Sequence, residues 1–178
     1  MNHLMIDLET LGTTPDTAVV SLGAAHFNSD GIIDERLWIF SLTGQLDGRR
    51  RFATAETIHW WIKQNDDARR VFEKSQLEGI YLKEFATQFI EWCPKDQRGL
   101  RVWGNGASFD IPIVEDVLRQ QGIQFPWLFW NHRCYRTMKA CFGVDKKFEG
   151  TKHDALDDAR HQAKCLIEYW KINPGAEK

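Results

Sequence analysis

A short apolar run near the N-terminus, Leu4-Met5-Ile6-Asp7-Leu8-Glu9, carries two carboxylates two residues apart. Side chains alternate across a strand, so Asp7 and Glu9 share one face, and Leu4, Ile6 and Leu8 take the other, toward a core. Neighbouring carboxylates repel, and burying either one is costly. A solvated edge strand would tolerate the pair. A divalent cation would neutralise it, and paired hard oxygen ligands suit Mg²⁺ or Mn²⁺.

The remaining pattern supplies a sheet around that strand. Ala18–Phe27 and Leu37–Leu42 are rich in β-branched and aromatic residues, Arg101–Gly104 reads as a short strand, and Leu128–Asn131 as a fifth. Helical patterns cover Ala55–Glu73, capped by Thr54, and Glu78–Trp92, whose apolar stripe runs from Tyr81 to Trp92. Ile111–Gln121 carries Pro112 in its first turn, where a missing N–H costs little. Cys134–Phe142 reads as a short helix. The last helix places Leu156, Ala159, Ala163, Leu166, Ile167 and Trp170 on one face and stops before Pro174. Strands first, then helices interleaved with strands, predict an α/β fold with a mixed sheet and helices on its faces.

At 178 residues the chain is expected to form one domain, 1–178. Eight tryptophans and eleven phenylalanines supply a core and exclude a disordered chain. The 23 basic and 25 acidic residues give a net charge of −2, which neither announces nor excludes a nucleic-acid partner. No stretch is apolar enough for a membrane span, and the acidic N-terminus does not read as a signal peptide; both predict a soluble, cytoplasmic protein. Cys93, Cys134, Cys141 and Cys165 form no C-x2-C pair and are expected as free thiols. His132 and Cys134 supply two of the four ligands a structural zinc site needs.

Two more acidic features follow. Asn105-Gly-Ala-Ser-Phe109-Asp110 comes directly after the strand Arg101–Gly104, and places Asp110 at a helix start. There it serves as an N-cap, as a metal-site carboxylate, or as both. His153-Asp-Ala-Leu-Asp-Asp158-Ala159 opens the last helix. Asp154 and Asp157 suit the helix dipole. Asp158 differs, because small Ala155 and Ala159 let the helix approach the sheet and bring Asp158 beside Asp7.

Taken together, D-x-E at Asp7 and Glu9, N-x3-F-D at Asn105, Phe109 and Asp110, and H-x-A-x2-D-A at His153, Ala155, Asp158 and Ala159 resemble the DEDDh 3′–5′ exonucleases of the ribonuclease-H-like superfamily. Thr57-Ile-His-Trp60-Trp61 and His132–Thr137 further resemble the small branch with phage exonuclease A and a bacterial exoribonuclease. The resemblance implies a ribonuclease-H-like, five-stranded mixed sheet flanked by helices. It implies two divalent cations, Mg²⁺ or Mn²⁺, held by Asp7, Glu9, Asp110 and Asp158, with His153 as general base. One ion would lower the pKa of a water and the other would steady the departing 3′ oxygen. The implied reaction releases nucleoside 5′-monophosphates from the 3′ end of single-stranded nucleic acid or a 3′ overhang. It also implies that Thr10, Leu11 and Gly12 contact the terminal sugar, with Leu11 wedged against the base and Gly12 permitting close approach.

Asn105 and Phe109 complete the candidate substrate-binding set, Phe109 by stacking or by packing alone. Arg49-Arg50-Arg51 reads as a solvated loop or a phosphate contact. Trp60 and Trp61 diverge by about 100° on a helix, one toward the core, the other toward the site or a subunit. A non-catalytic nucleic-acid-binding module on the same fold and a ribonuclease-H-like endonuclease are the competing readings. Clustered repelling acids argue against the first, and the histidine favours end-directed cleavage by resemblance. RNA or DNA as substrate stays open, because no motif encodes contacts to the 2′-OH. The tryptophans leave room for a homodimer interface.

Overall fold

The computed structural model describes residues 1–48 and 50–177. Its sheet has five strands: β1 (His3–Thr10), β2 (Val19–Asn28), β3 (Gly31–Ile39), β4 (Arg101–Gly104) and β5 (His132–Cys134). Their order is β3-β2-β1-β4-β5. The first three form an antiparallel meander, and β4 and β5 run parallel to β1. The expected five-stranded mixed sheet is therefore present, with β1 at its centre.

The alternation in β1 decides what covers each face. Leu4, Ile6 and Leu8 pack into the larger core with Phe85 and Phe89 of α4 (Leu82–Trp92) and Ile111 and Val114 of α5 (Asp110–Gln120). Met5 faces the other way, onto Ala159, Ala163 and Leu166 of α7 (Ala155–Ile172), and Tyr135 of α6 (Tyr135–Phe142) joins that layer. Each large apolar side chain so buried is worth about 1.5–3 kcal/mol. Asp7 and Glu9 share the Met5 face, so the sheet aims them toward the N-terminal end of α7.

Several boundaries differ from the sequence reading. β3 starts at Gly31, not Leu37, because Asn28 Oδ1 accepts from the N–H groups of Asp30 (2.8 Å) and Gly31 (3.2 Å) and turns β2 straight into it. The predicted helix Ala55–Glu73 is two helices, α2 (Ala55–Ile62) and α3 (Asp66–Glu78), because Asn65 caps the second by accepting from Ala68 N–H at 2.9 Å. Glu78 ends α3, and Ile80 bridges Phe40, so α4 starts only at Leu82. The predicted strand Leu128–Asn131 holds a 3₁₀ turn at Phe129–Asn131, and the fifth strand is the next three residues. A short α1 (Thr43–Leu46) precedes the basic run.

Arg49 lies outside the described residues. Arg51 is not a solvated loop residue: it is 1% exposed. Its guanidinium donates to the carbonyls of Thr17 (2.6 Å) and Pro15 (2.6 Å) and pairs with Asp116 of α5 at 3.0 Å. It therefore clamps the turn after β1 to the helix that carries Asp110. The four cysteines are free, as expected. His132 Nε2 is engaged by Glu115 at 2.9 Å. Among the described residues, no helix is long and apolar enough to cross a membrane.

Candidate active site

The site forms where β1 and β4 end and α5 and α7 begin. Small residues make that convergence possible. Gly23 of β2 pairs with Asp7 across the sheet. A Cβ there would stand 2.1 Å from the Ala155 carbonyl oxygen, so only glycine lets the start of α7 lie on the sheet at this point. Ala155 and Ala159, buried on α7, extend that close approach as the sequence suggested. Gly104 ends β4, where a Cβ would meet Asp110 Oδ2 at 2.9 Å.

Asp110 opens α5 but does not cap it. Phe109 holds the cap position, without a side-chain bond, and Asp110 Oδ1 instead accepts from Leu8 N–H at 3.2 Å. Its carboxylate is thus turned back against β1. Asp110 is 2% exposed, and its Oδ2 has no hydrogen-bond partner. Asp154 is the true cap of α7, accepting from the N–H groups of Leu156 and Asp157 at 3.1 Å each. Asp157 pairs with Arg160 and accepts from Thr151 N–H at 2.8 Å, which leaves Asp158 for the site.

Just before that cap, His153 has a φ of 66°, a left-handed backbone that is uncommon outside glycine. Asp158 Oδ2 stabilises the bend by accepting from His153 N–H at 2.9 Å. One ligand atom each from Glu9, His153 and Asp158 lie within 4.8 Å of one another. Trp60 supports the imidazole edge-on, with ring centroids 4.9 Å apart at 85°. Asp7 Oδ1 accepts from Gln162 Nε2 at 2.7 Å, one turn further along α7.

Crowding acids in a dry corner raises their proton affinity. Burial, with Asp110 and Asp158 close by, lifts the Asp7 carboxyl well above the usual carboxylate range. Burial, Asp7 and Asp158 do the same to Glu9. Burial takes Asp110 to about 7 despite hydrogen bonds from backbone N–H groups, and Asp158 to about 6 despite the His153 N–H. Burial lowers the His153 pKa, with Lys152 adding to it, which favours a neutral imidazole able to take a proton. An orphaned buried carboxylate oxygen beside three further acids is a donor set that fits hard divalent cations.

Beside these acids lies a groove of about 590 Å³ lined by Leu8, Glu9, Thr10, Gly12, Thr13, Thr54, Glu56, Thr57, Trp60, Trp61 and Phe109. Thr10 and Gly12 open onto it. Leu11 does not: it is 5% exposed and packs with Ala18, Val20, Trp61 and Ala68 in a small separate core, so its side chain is no wedge for a base. Gly12 is packed against Thr17, since a Cβ there would stand 2.6 Å from Thr17 Oγ1. Asn105 stays out of the groove, its carbonyl held by Arg136 Nη2 at 2.9 Å. Phe109 both lines the groove and packs on the larger core.

The tryptophan pair divides its work. Trp61 is buried and donates its indole N–H to the Thr10 carbonyl at 2.9 Å, whereas Trp60 is 41% exposed, against His153. Residue patterns missed Gly23, Gln162 and the buried role of Arg51. A glycine within an otherwise apolar strand was the one available signal, for Gly23.

Residues 2–170 match the family described as the Rv2179c-like 3′–5′ exoribonuclease domain. The chain belongs to that family. An exodeoxyribonuclease of Enterobacteria phage T4 is 29% identical over 161 residues, 77% of this Rv2179c-like chain and 70% of that protein. Among solved structures, the zinc-bound E. coli ExoI–ssDNA complex superposes with a TM-score of 0.71 at 13% identity, over 98% of this chain. The Rv2179c-like domain spans only 41% of that ExoI chain. The nuclease domain of 3′hExo, a DEDDh family member bound to rAMP, gives a TM-score of 0.63 at 12% identity, covering 99% of this chain and 94% of that one. S. pombe Pop2p, in a Mg²⁺- and Mn²⁺-bound form, gives 0.63 at 15% identity over 95% and 82%. By family the chain carries a 3′–5′ exoribonuclease-type domain, and its fold is the ribonuclease-H-like one it shares with the DEDDh nuclease domain of 3′hExo.

Proposed function

We propose that the protein shortens single-stranded nucleic acid, or a 3′ overhang, from its 3′ end and releases nucleoside 5′-monophosphates by metal-assisted hydrolysis. The observation that carries this reading is the meeting of Glu9, His153 and Asp158 within 4.8 Å, beside an Asp110 oxygen that has no partner in the protein. Asp7, Glu9, Asp110 and Asp158 would hold two divalent cations, Mg²⁺ or Mn²⁺. Bound there, the cations would offset the charge that builds on an already anionic phosphodiester.

The chain's own groups supply the rest. One ring nitrogen of His153 takes the proton of the attacking water, a role suited to an imidazole kept neutral by burial. Trp60 limits the ring's swing, and the Asp158 carboxylate fixes the backbone beneath it. The groove receives the terminal nucleoside, with Trp60 and Phe109 offering aromatic surface to the base and Thr10 and Thr57 offering hydroxyls to the sugar. Arg51 and Trp61 keep the Thr10–Thr17 turn in register with α5. The relatives named above act on or bind both DNA and RNA components, so the sugar preference is open to either.

The test is digestion of matched 5′-labelled RNA and DNA oligonucleotides with Mg²⁺, with Mn²⁺ and with EDTA. A ladder shortening one nucleotide at a time, stopped by EDTA and restored by either cation, is expected. Internal cuts would assign an endonuclease, and cleavage that persists in chelator would remove the cations from the mechanism.

A further inference from the structure

Away from the acidic corner, three side chains of different ligand chemistry converge. His161 and Cys165 lie four residues apart on α7 and so share a face. Asp145 reaches them from the segment that joins α6 to α7. One ligand atom from each lies within 4.8 Å of the others. His161 Nε2 is 3.6 Å from Cys165 Sγ and 3.6 Å from Asp145 Oδ1.

Those spacings match a coordination sphere. Zinc bonds of about 2.3 Å to sulfur and about 2.0–2.2 Å to nitrogen and oxygen, at tetrahedral angles, set ligand atoms about 3.4–3.6 Å apart. Lys139 Nζ binds Asp145 Oδ2 at 2.8 Å and the Lys146 N–H donates to Oδ1 at 3.0 Å, which fixes the carboxylate with Oδ1 facing the imidazole, the part that outer-shell partners play at metal sites. A nucleophilic triad does not fit the same atoms. Cys165 and Asp145 both approach Nε2, whereas a triad histidine uses its two ring nitrogens for different partners. Cys165 is 2% exposed but lines, with Asp145, a cleft of about 440 Å³, which gives an ion a way in and room for a water.

We propose that Asp145, His161 and Cys165 form a second metal site, selective for a zinc-like cation, with the fourth position open to water from the cleft. Its sulfur and nitrogen ligands separate it from the all-oxygen corner, where Mg²⁺ and Mn²⁺ belong. Occupancy would tie the connection between α6 and α7, whose far end carries His153, to the face of the helix it precedes.

Cobalt(II) in place of zinc tests this on the full chain. A near-ultraviolet thiolate-to-cobalt charge-transfer band reports a cysteine ligand, which the acidic corner does not contain. The expected result is a band that saturates at one equivalent, is displaced by Zn²⁺ and is absent from Cys165→Ser. Zn²⁺ affinity should fall at least tenfold in His161→Asn and in Asp145→Asn, and both keep the thiol in place should Cys165→Ser fail to fold. No band in the wild-type chain, a band retained by Cys165→Ser, or unchanged zinc affinity in His161→Asn would each overturn the assignment.

Discussion

The two ends of β1 bury titratable side chains on one face of the sheet and settle them in opposite ways. At its start, His3 is 1% exposed among the rings of Phe27, Trp103 and Trp170, with centroids 5.3, 5.9 and 4.6 Å away. Trp103 Nε1 donates to His3 Nδ1 at 3.0 Å, and burial pushes the imidazole pKa down to about 4. The ring stays neutral, with one nitrogen held by Trp103 and the other 3.3 Å from the Glu177 carboxylate, a group of opposite character. At the far end, Asp7 and Glu9 meet Asp110 and Asp158, four groups of one sign, with an Asp110 oxygen left unpaired. A fold that can seat a buried histidine on one half of a strand has no structural need for clustered acids on the other. The second end is left with an orphaned acceptor and like charges that the protein itself does not offset.

Substitutions at the acidic end should break function and spare the fold. Asp7→Ala or Asp158→Ala each removes a proposed ligand from the acidic corner, and turnover with Mg²⁺ should drop by about 10³-fold or more, consistent with several kcal/mol of charge stabilisation. Circular dichroism should remain that of the wild-type chain, and near wild-type turnover in either variant would dissolve the metal-site assignment. Next in size, His153→Ala should lower turnover by roughly 10²–10⁴-fold, the range for a lost general base. A loss under about threefold across neutral pH would take His153 out of that role.

The histidine end should show in stability instead. The folded pKa of about 4 lies below the ordinary 6.5, so as the pH falls through that window the unfolded chain takes up the proton first. Stability contributed by His3 is present above pH 6.5 and is lost toward pH 4, on the order of 3 kcal/mol. Urea unfolding of wild type and His3→Gln at a series of pH values isolates it; parallel curves for the two would refute a neutral buried His3.

The acids have the opposite sign, because their folded pKa values are raised. Without a cation, their cost to the fold grows as pH rises from the ordinary carboxylate range through about 6 for Asp158 and about 7 for Asp110. Asp7→Asn, measured in EDTA at neutral pH, should therefore raise the melting temperature, by about 2–4 °C per kcal/mol of relieved repulsion. Mg²⁺ should stabilise the wild type more than this variant. A lower melting point for Asp7→Asn in EDTA would mean that the acids are not in conflict.

The same contrast governs what the sequence revealed. The acids announced themselves, because charged residues in an apolar strand and small residues beside Asp158 are local patterns. β4 at Arg101–Gly104 and the apolar face of α7 were equally plain. What stayed hidden depends on distant partners. Arg51 looked solvated until Thr17, Pro15 and Asp116 closed around its guanidinium. Leu11 sits beside the site in sequence, but the small core under α2 and α3 claims its side chain. β3 carries Asp34, Glu35 and Arg36 because it is an edge strand, so a charged middle interrupted the apolar run by which strands are recognised and hid Ile32 and Ile33 from it.

Anomalous diffraction from crystals grown with Mn²⁺ and a nucleoside 5′-monophosphate addresses the acidic corner most directly. The account predicts manganese peaks enclosed by Asp7, Glu9, Asp110 and Asp158, with His153 facing the phosphate. Crystals that hold the nucleotide but show no manganese among those four side chains would contradict it.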